Sequence, residues 1–407
     1  MSQLTTKDYI AKEDKFGAHN YHPLPVVLSK GEGVFVWDVE GKRYFDFLAA
    51  YSAVNQGHGH PRIVKALADQ AAKLALTSRA YYNDVLGNWE EYMTKLFGYD
   101  RMLPMNSGAE ADETALKLIR KWAYKVKGIP DKEAKIVVCN GNFHGRTITI
   151  ISMSSDPDAR GDYGPYTPGF ISIPYNDLEQ LEKELKDPNV AGFLVEPIQA
   201  EAGVYVPEDG YLKKASELCK KYNVLFVADE IQTGLGRTGK MLACDHEEVR
   251  PDILVLGKAL SGGVYPVSCV LADDEVMLTI KPGEHGSTYG GNPVAAKVAM
   301  EAMNVLQEEK LADNAQKIGE IFRKEMQSIQ SEMIEVVRGK GLLNAVAIKP
   351  VQGKTAWDVC LAMKENGLIA KPTHENIIRF TPPLVILEDQ MMEAIGIIKK
   401  TFKEMGI

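Results

Sequence analysis

The chain has 407 residues, a length that suggests about two or three structural units. Its 47 Lys and Arg against 55 Asp and Glu leave a net charge of −8, which argues against a nucleic-acid or anionic-membrane partner. No apolar run approaches the ~20 residues of a membrane helix, and the five cysteines are odd in number, widely spaced and without a C-x-x-C pair, which fits a reducing compartment rather than a disulfide framework or zinc knuckle.

The first residues carry acids and no Arg-rich or apolar leader, so the expectation is cytoplasmic, with the mitochondrial matrix possible if a leader was removed. Val34–Asp38 and Arg43–Phe47 alternate, and Glu40-Gly41-Lys42 between them reads as a hairpin turn. Gly57-His58-Gly59-His60-Pro61 reads as a tight turn feeding a helix with Pro61 at its start, in preference to a metal site, because no third ligand stands nearby. From about Lys135 short apolar strands (Ile136–Val138, Val190–Val195, Val224–Ala228, Ile253–Leu256) alternate with helical stretches such as Tyr211–Tyr222, the pattern of a mostly parallel sheet with crossover helices. After Pro293 two long helical patterns follow, Val294–Gln307 and Ala312–Ile329. Beyond them come Glu335–Ile348, a helix over Ala356–Asn366, Ile377–Thr381 and a last helix from Glu388. The expected division is an N-terminal segment over 1–50 that joins a smaller α+β domain, a large α/β domain over 51–310, and the smaller domain over 311–407.

Three stretches carry chemistry. The strand Ile253–Leu256 delivers Lys258 to a loop with a glycine pair, where α/β proteins place reactive groups. The strand from Val224 finishes on Asp229 and Glu230, and His285-Gly-Ser287-Thr288-Tyr-Gly-Gly is rich in hydroxyls and glycines. An imine-forming lysine, an acid for a ring nitrogen and a phosphate-binding loop are the parts that hold pyridoxal 5'-phosphate. A second phosphate ligand set is Ser107, Gly108 and Ala109. Ser107 and Glu110 form a capping box, and small residues at that helix start leave backbone N–H groups free for an anion. The rival is Gly234-Leu-Gly236-Arg-Thr-Gly239-Lys240, which matches G-x-G-x-x-G and most of a Walker loop. Met241 stands where Ser or Thr would hold magnesium, and a poor helix follows, so a nucleotide site is disfavoured.

Phe226–Gly239, Leu256–Gly263 and Gly286–Pro293 resemble the signature of class III pyridoxal-phosphate-dependent aminotransferases, and the likeness runs from about residue 15 to the C-terminus. Gly17–Pro23, Ser52–His58, Gly141–Arg146, Val195–Gly203 and Arg338–Leu343 are similar to the ornithine-specific branch of that family. The resemblance implies a fold-type I transferase: a large domain with a mostly parallel mixed sheet flanked by helices, and a smaller α+β domain. It implies that Lys258 binds the cofactor and then acts as the proton-moving base, and that Asp229 pairs with the pyridine nitrogen. Gln232 would meet the phenolic oxygen, Phe143 would stack on the ring, and Thr288 with Ser287 would reach the phosphate of a neighbouring subunit in a homodimer. For the substrates L-ornithine and 2-oxoglutarate it implies that Tyr21 and Arg146 hold the ornithine α-carboxylate, with Tyr51 lining the same pocket. Arg379 would hold the α-carboxylate of the keto acid, with Glu201 as a gate that covers it when ornithine is bound. His144 and Ala200 depart from the pattern beside the pocket, so N-acetylornithine and 4-aminobutyrate aminotransferases remain the alternatives.

Overall fold

The computed structural model describes residues 4–406. At its centre is a seven-stranded sheet. In spatial order its strands are Arg101–Met105, Ser268–Ala272, Ile253–Leu256, Leu225–Asp229, Val190–Val195, Lys135–Cys139 and Phe170–Ile173. The last five run parallel, while Ser268–Ala272 is antiparallel to both of its neighbours. Val190–Val195, Leu225–Asp229 and Ile253–Leu256 are buried at every position, which is why they read as continuous apolar runs: helices cover both faces of a parallel sheet. The mixed α/β architecture matches the expectation. The edge strand Arg101–Met105 escaped the sequence reading because Pro104 interrupts it, a residue that sheets confine to edges.

Two four-stranded sheets flank this centre. In one, Phe35–Asp38 and Arg43–Asp46 form the expected hairpin around Gly41, Leu28–Glu32 extends it to a meander, and Leu368–Ile369 from the C-terminal part adds in parallel beside Arg43–Asp46. In the other, Ile334–Lys340 and Leu343–Ile348 pair as a hairpin where one stretch was expected, followed in space by Ile377–Phe380 and Lys371–Thr373.

The loop Gly234–Lys240 joins these regions. Arg237 is fully buried and donates to Leu342 O, Pro382 O and Asn55 Oδ1. Its glycines admit close neighbours: a Cβ on Gly239 would meet Gln316 Oε1 at 2.4 Å. The motif that resembled a phosphate loop is therefore a packing joint. His58 and His60 are likewise taken, by Asp46 at 2.7 Å and Glu309 at 3.0 Å, and Pro61 opens the helix Pro61–Lys73. Among the described residues no helix is long and apolar enough to cross a membrane.

Candidate active site

Parallel strands leave their carboxyl ends along one edge, and ligands of open α/β sheets bind outside that edge. The sequence places its reactive groups there strand by strand. Phe143 and His144 follow Lys135–Cys139, Glu196 follows Val190–Val195, Asp229 ends Leu225–Asp229, and Lys258 lies just past Ile253–Leu256. Lys258 takes φ 44°, a conformation unfavourable for a lysine, directly after an extended Gly257.

The floor is a buried acid cluster. Asp229 Oδ1 accepts from Ile231 N at 2.9 Å, and Oδ2 lies 2.7 Å from His144 Nδ1. Burial alone would favour the neutral imidazole of His144, but the hydrogen bond and charge of Asp229 outweigh it and hold its pKa above the ordinary value. Glu196 accepts from Phe143 N at 2.8 Å, and burial, partly offset by His144, pushes its carboxyl up to about 8. Lys258 is only partly covered by area, yet its ammonium is enclosed by protein, so desolvation draws its pKa down against the pull of Glu201, Asp229 and Glu196. A lysine so placed is more readily neutral and hence nucleophilic.

One wall is the start of the helix Gly108–Trp122. Ser107 caps it, accepting from Glu110 N, while the Glu110 carboxylate returns to Ser107 N at 2.9 Å and Asn106 N at 3.0 Å. Smallness here has a packing cause. A Cβ on Gly108 would meet Ile231 at 3.0 Å, and one on Gly145 would meet Ala109 at 2.7 Å. Gly108 and Lys258 line two adjoining cavities, one over the acid floor and one opening towards Ser107 and Tyr265. The first, bounded by Phe143, Asp229 and Gln232, can take a flat ring, and the second can take an anion at the helix N-terminus. The residues present thus fit pyridoxal phosphate: a half-buried aromatic face, a buried carboxylate, a lysine and free helix N–H groups.

The opposite wall carries the Glu201–Arg379 ion pair. Arg379, on the strand Ile377–Phe380, is 4 % exposed and puts Nη1 2.6 Å from Glu201 Oε1. The contact is close but misaligned, so Nε and Nη1 of Arg379 have no hydrogen-bond acceptor. Gln232 Nε2 also reaches Glu201 Oε1, at 3.2 Å. Burial would raise the Glu201 carboxyl, but Arg379 and Lys258 prevail and keep it below the ordinary range. The Glu201 carbonyl is pinned by Thr373 Oγ1 at 2.7 Å, which leaves the side chain as the movable part. Tyr51 packs its ring 5.0 Å from the Arg379 guanidinium. It is presented by four consecutive left-handed residues, Ala49 to Ser52, with φ between 45° and 69°.

The remaining expected residues lie at the rim. Arg146 is exposed and stands 5.3 Å over the Phe143 ring, and Tyr21 is 71 % exposed on a segment outside regular structure. Ser287 Oγ accepts from Asn106 Nδ2 of the same chain at 2.8 Å, while Thr288 is exposed. Sequence reasoning noted His144 only as a departure and did not single out Glu196, although both fall in the motifs it used. It missed Asp112 as well. Asp112 lies on the buried stripe with Ala115, Leu116 and Ile119, and an acid on an apolar helical stripe was the available signal.

Residues 16–402 match the family model for aminotransferase class-III. The chain is 65 % identical over 395 residues to the mitochondrial ornithine aminotransferase of Drosophila melanogaster, covering 97 % of this chain and 91 % of that one. A crystal structure of the ornithine aminotransferase from Toxoplasma gondii ME49 superposes with a TM-score of 0.98 at 51 % identity, covering 100 % of this chain and 96 % of that one. The acetylornithine aminotransferase of Elizabethkingia anophelis superposes with a TM-score of 0.91 at 59 % identity, covering 98 % and 100 % respectively. With lysine, buried acid and anion cup assembled at one sheet edge, and a family match over nearly its whole length, the chain belongs to the class III aminotransferases, which are pyridoxal-phosphate-dependent enzymes.

Proposed function

We propose that this protein transfers the δ-amino group of L-ornithine to 2-oxoglutarate. The products are glutamate 5-semialdehyde, which cyclises to pyrroline-5-carboxylate, and glutamate. The observation that carries the reading is the Arg379–Glu201 pair. An arginine near the reactive lysine, covered by a swinging carboxylate and left with unfilled donors, suits a site that must ignore one substrate's carboxylate and grip the other's.

Pyridoxal phosphate, when bound, supplies an aldehyde for the incoming amine and a ring that accepts the electron pair left by a departing C–H proton. Lys258 would hold it, and its Nζ would serve as the base that takes the proton from the substrate carbon and returns it across the site. Asp229 would keep the ring nitrogen protonated, and Gln232 would meet the phenolic oxygen. Phe143 would cover one face of the ring, while Ser107, Gly108 and Ala109 would hold the phosphate. Tyr21 and Arg146 grip the ornithine α-carboxylate, with Tyr51 lining the pocket beside Arg379. Glu201 meanwhile masks Arg379, so that only the δ-amine reaches Lys258. For 2-oxoglutarate Glu201 swings away and Arg379 takes the α-carboxylate. The two half-reactions share one site and alternate, a ping-pong pattern.

The working unit in this reading is a homodimer in which Thr288 and Ser287 of one subunit approach the phosphate of the other. Each subunit comprises a cofactor-binding part over 51–310 and a smaller part from 311 that the N-terminal 1–50 completes, in keeping with the strand pairing of Arg43–Asp46 and Leu368–Ile369. Five buried cysteines without a disulfide suit a reducing compartment, cytoplasm or mitochondrial matrix.

The second reading, N-acetylornithine as donor, is favoured by the likeness to the Elizabethkingia enzyme. Half-reactions separate them. The yellow enzyme is mixed singly with ornithine, N-acetylornithine, 4-aminobutyrate and glutamate, and bleaching of the visible band is timed. Ornithine and glutamate should bleach it and 4-aminobutyrate should not. Faster bleaching by N-acetylornithine than by ornithine would overturn the assignment.

A further inference from the structure

Asp112, like Glu196, is an acid of the site that the reaction above does not use. It lies one turn into the helix Gly108–Trp122, is 0 % exposed, and neither of its carboxyl oxygens has a hydrogen-bond donor. Its carboxyl, His144 and Asp229 bring one polar atom each within 4.8 Å of one another. The charged and titratable groups around it are Asp229, Glu196 and Lys258 on the strand ends, with His144 on the loop over them. An ionised carboxylate here would be a buried acceptor without a donor beside a second carboxylate, an arrangement that proteins resolve by keeping one proton between the two acids.

We propose that Asp112 is a positioning residue that stays protonated and donates its hydroxyl hydrogen bond to the Asp229 carboxylate, beside the bond from His144, so that Asp229 is held as the single anion facing the cofactor ring. No bond is made or broken, and the proton stays within the Asp112–Asp229 pair. Burial, then the neighbouring charge of Asp229 and Glu196, pushes the Asp112 carboxyl well above the carboxylate range. The arrangement gives Asp229 three donors: Ile231 N, His144 Nδ1 and Asp112. A carboxylate so enclosed keeps its charge and cannot rotate away from the ring.

This inference rests on the cofactor reading of the site but is tested separately from it. The holoenzyme, Asp112→Asn and Asp112→Val are compared by infrared difference spectroscopy over about pH 6 to 9, where a carboxyl stretch reports an un-ionised acid. Subtracting the Asp112→Asn spectrum removes the shared contributions of Glu196 and Glu230. The expected result is a protonated-carboxyl band in the wild type that Asp112→Asn lacks. For turnover, Asp112→Asn, which keeps a donor, should hold kcat within about threefold, while Asp112→Val should lose about tenfold with KM little changed. A flat infrared difference, or equal kcat in the two variants, overturns the proposal. A cation held by Asp112, His144 and Asp229 would also give the flat difference. The infrared measurement reads the acid pair with or without cofactor, so failure to take up pyridoxal phosphate would count against the cofactor reading alone.

Discussion

On the floor of the cleft Asp229, His144, Glu196 and Asp112 are buried, whereas on its rim Tyr21 and Arg146 stand in solvent. Asp229, Glu196 and His144 come from the ends of adjacent parallel strands, fixed by the sheet register as well as by their own loops, and Asp112 from the helix Gly108–Trp122. The rim depends on irregular segments and long side chains. Between the two lies the Glu201–Arg379 pair, in which a buried arginine with unfilled donors meets a partly exposed carboxylate. The contrast separates two kinds of control. Changes to the floor should act on whether the chemistry proceeds, changes to the rim on how well a substrate is held, and changes to the pair on which end of the substrate reacts.

The sharpest test of the floor is Lys258→Ala, which should abolish the visible cofactor band and lower kcat by at least about 10⁴-fold in steady-state assays. Retained turnover would break the distinction at once. At the pair, Glu201→Ala uncovers Arg379 and should raise the rate of the glutamate half-reaction relative to that of ornithine by about tenfold, read by stopped-flow bleaching. An unchanged ratio would return the pair to a purely structural role. At the rim, Tyr21→Phe removes one hydroxyl and should raise the ornithine KM several-fold, by about 1 kcal/mol of lost binding, with kcat nearly intact.

The smallest expected effect concerns stability. Glu196 has its carboxyl raised to about 8 by burial. Below the unfolded pKa, near 4.3, both states carry the proton and its contribution is whole. As pH rises towards 8 the unfolded chain ionises while the folded one does not, so stability is progressively lost across that window. Glu196→Gln, which keeps the acceptor for Phe143 N, should therefore flatten the fall of Tm with pH by about a few degrees in calorimetry. Some slope should remain from Glu230, whose carboxyl burial pushes up to about 7.

The parts that proved easiest to read from sequence are those where one strand carries both the packing and the chemistry. Ile253–Leu256 with Lys258, and Leu225–Asp229 with its terminal acid, announce themselves as apolar runs ending in a charge. The strands Arg101–Met105 and Ser268–Ala272 were harder, since Pro104 interrupts the first and the second runs against both of its neighbours. Asp112 was missed because a charged residue in a helix is ordinarily solvated. Only packing against the strand ends turns it inward. The Gly234–Gly239 motif shows the converse, since glycines needed for close approach look the same whether the neighbour is a phosphate or Gln316.

The left-handed turn at Ala49–Ser52 has a consequence for how specificity can change. Four residues held at positive φ cost roughly 1–2 kcal/mol each, and that cost comes from the Cβ that every residue but glycine carries, whatever lies beyond it. Position 51 is thus a fixed mount facing Arg379, and replacing its tyrosine alters the wall of the pocket without rebuilding the support. A lineage could retune this surface one residue at a time.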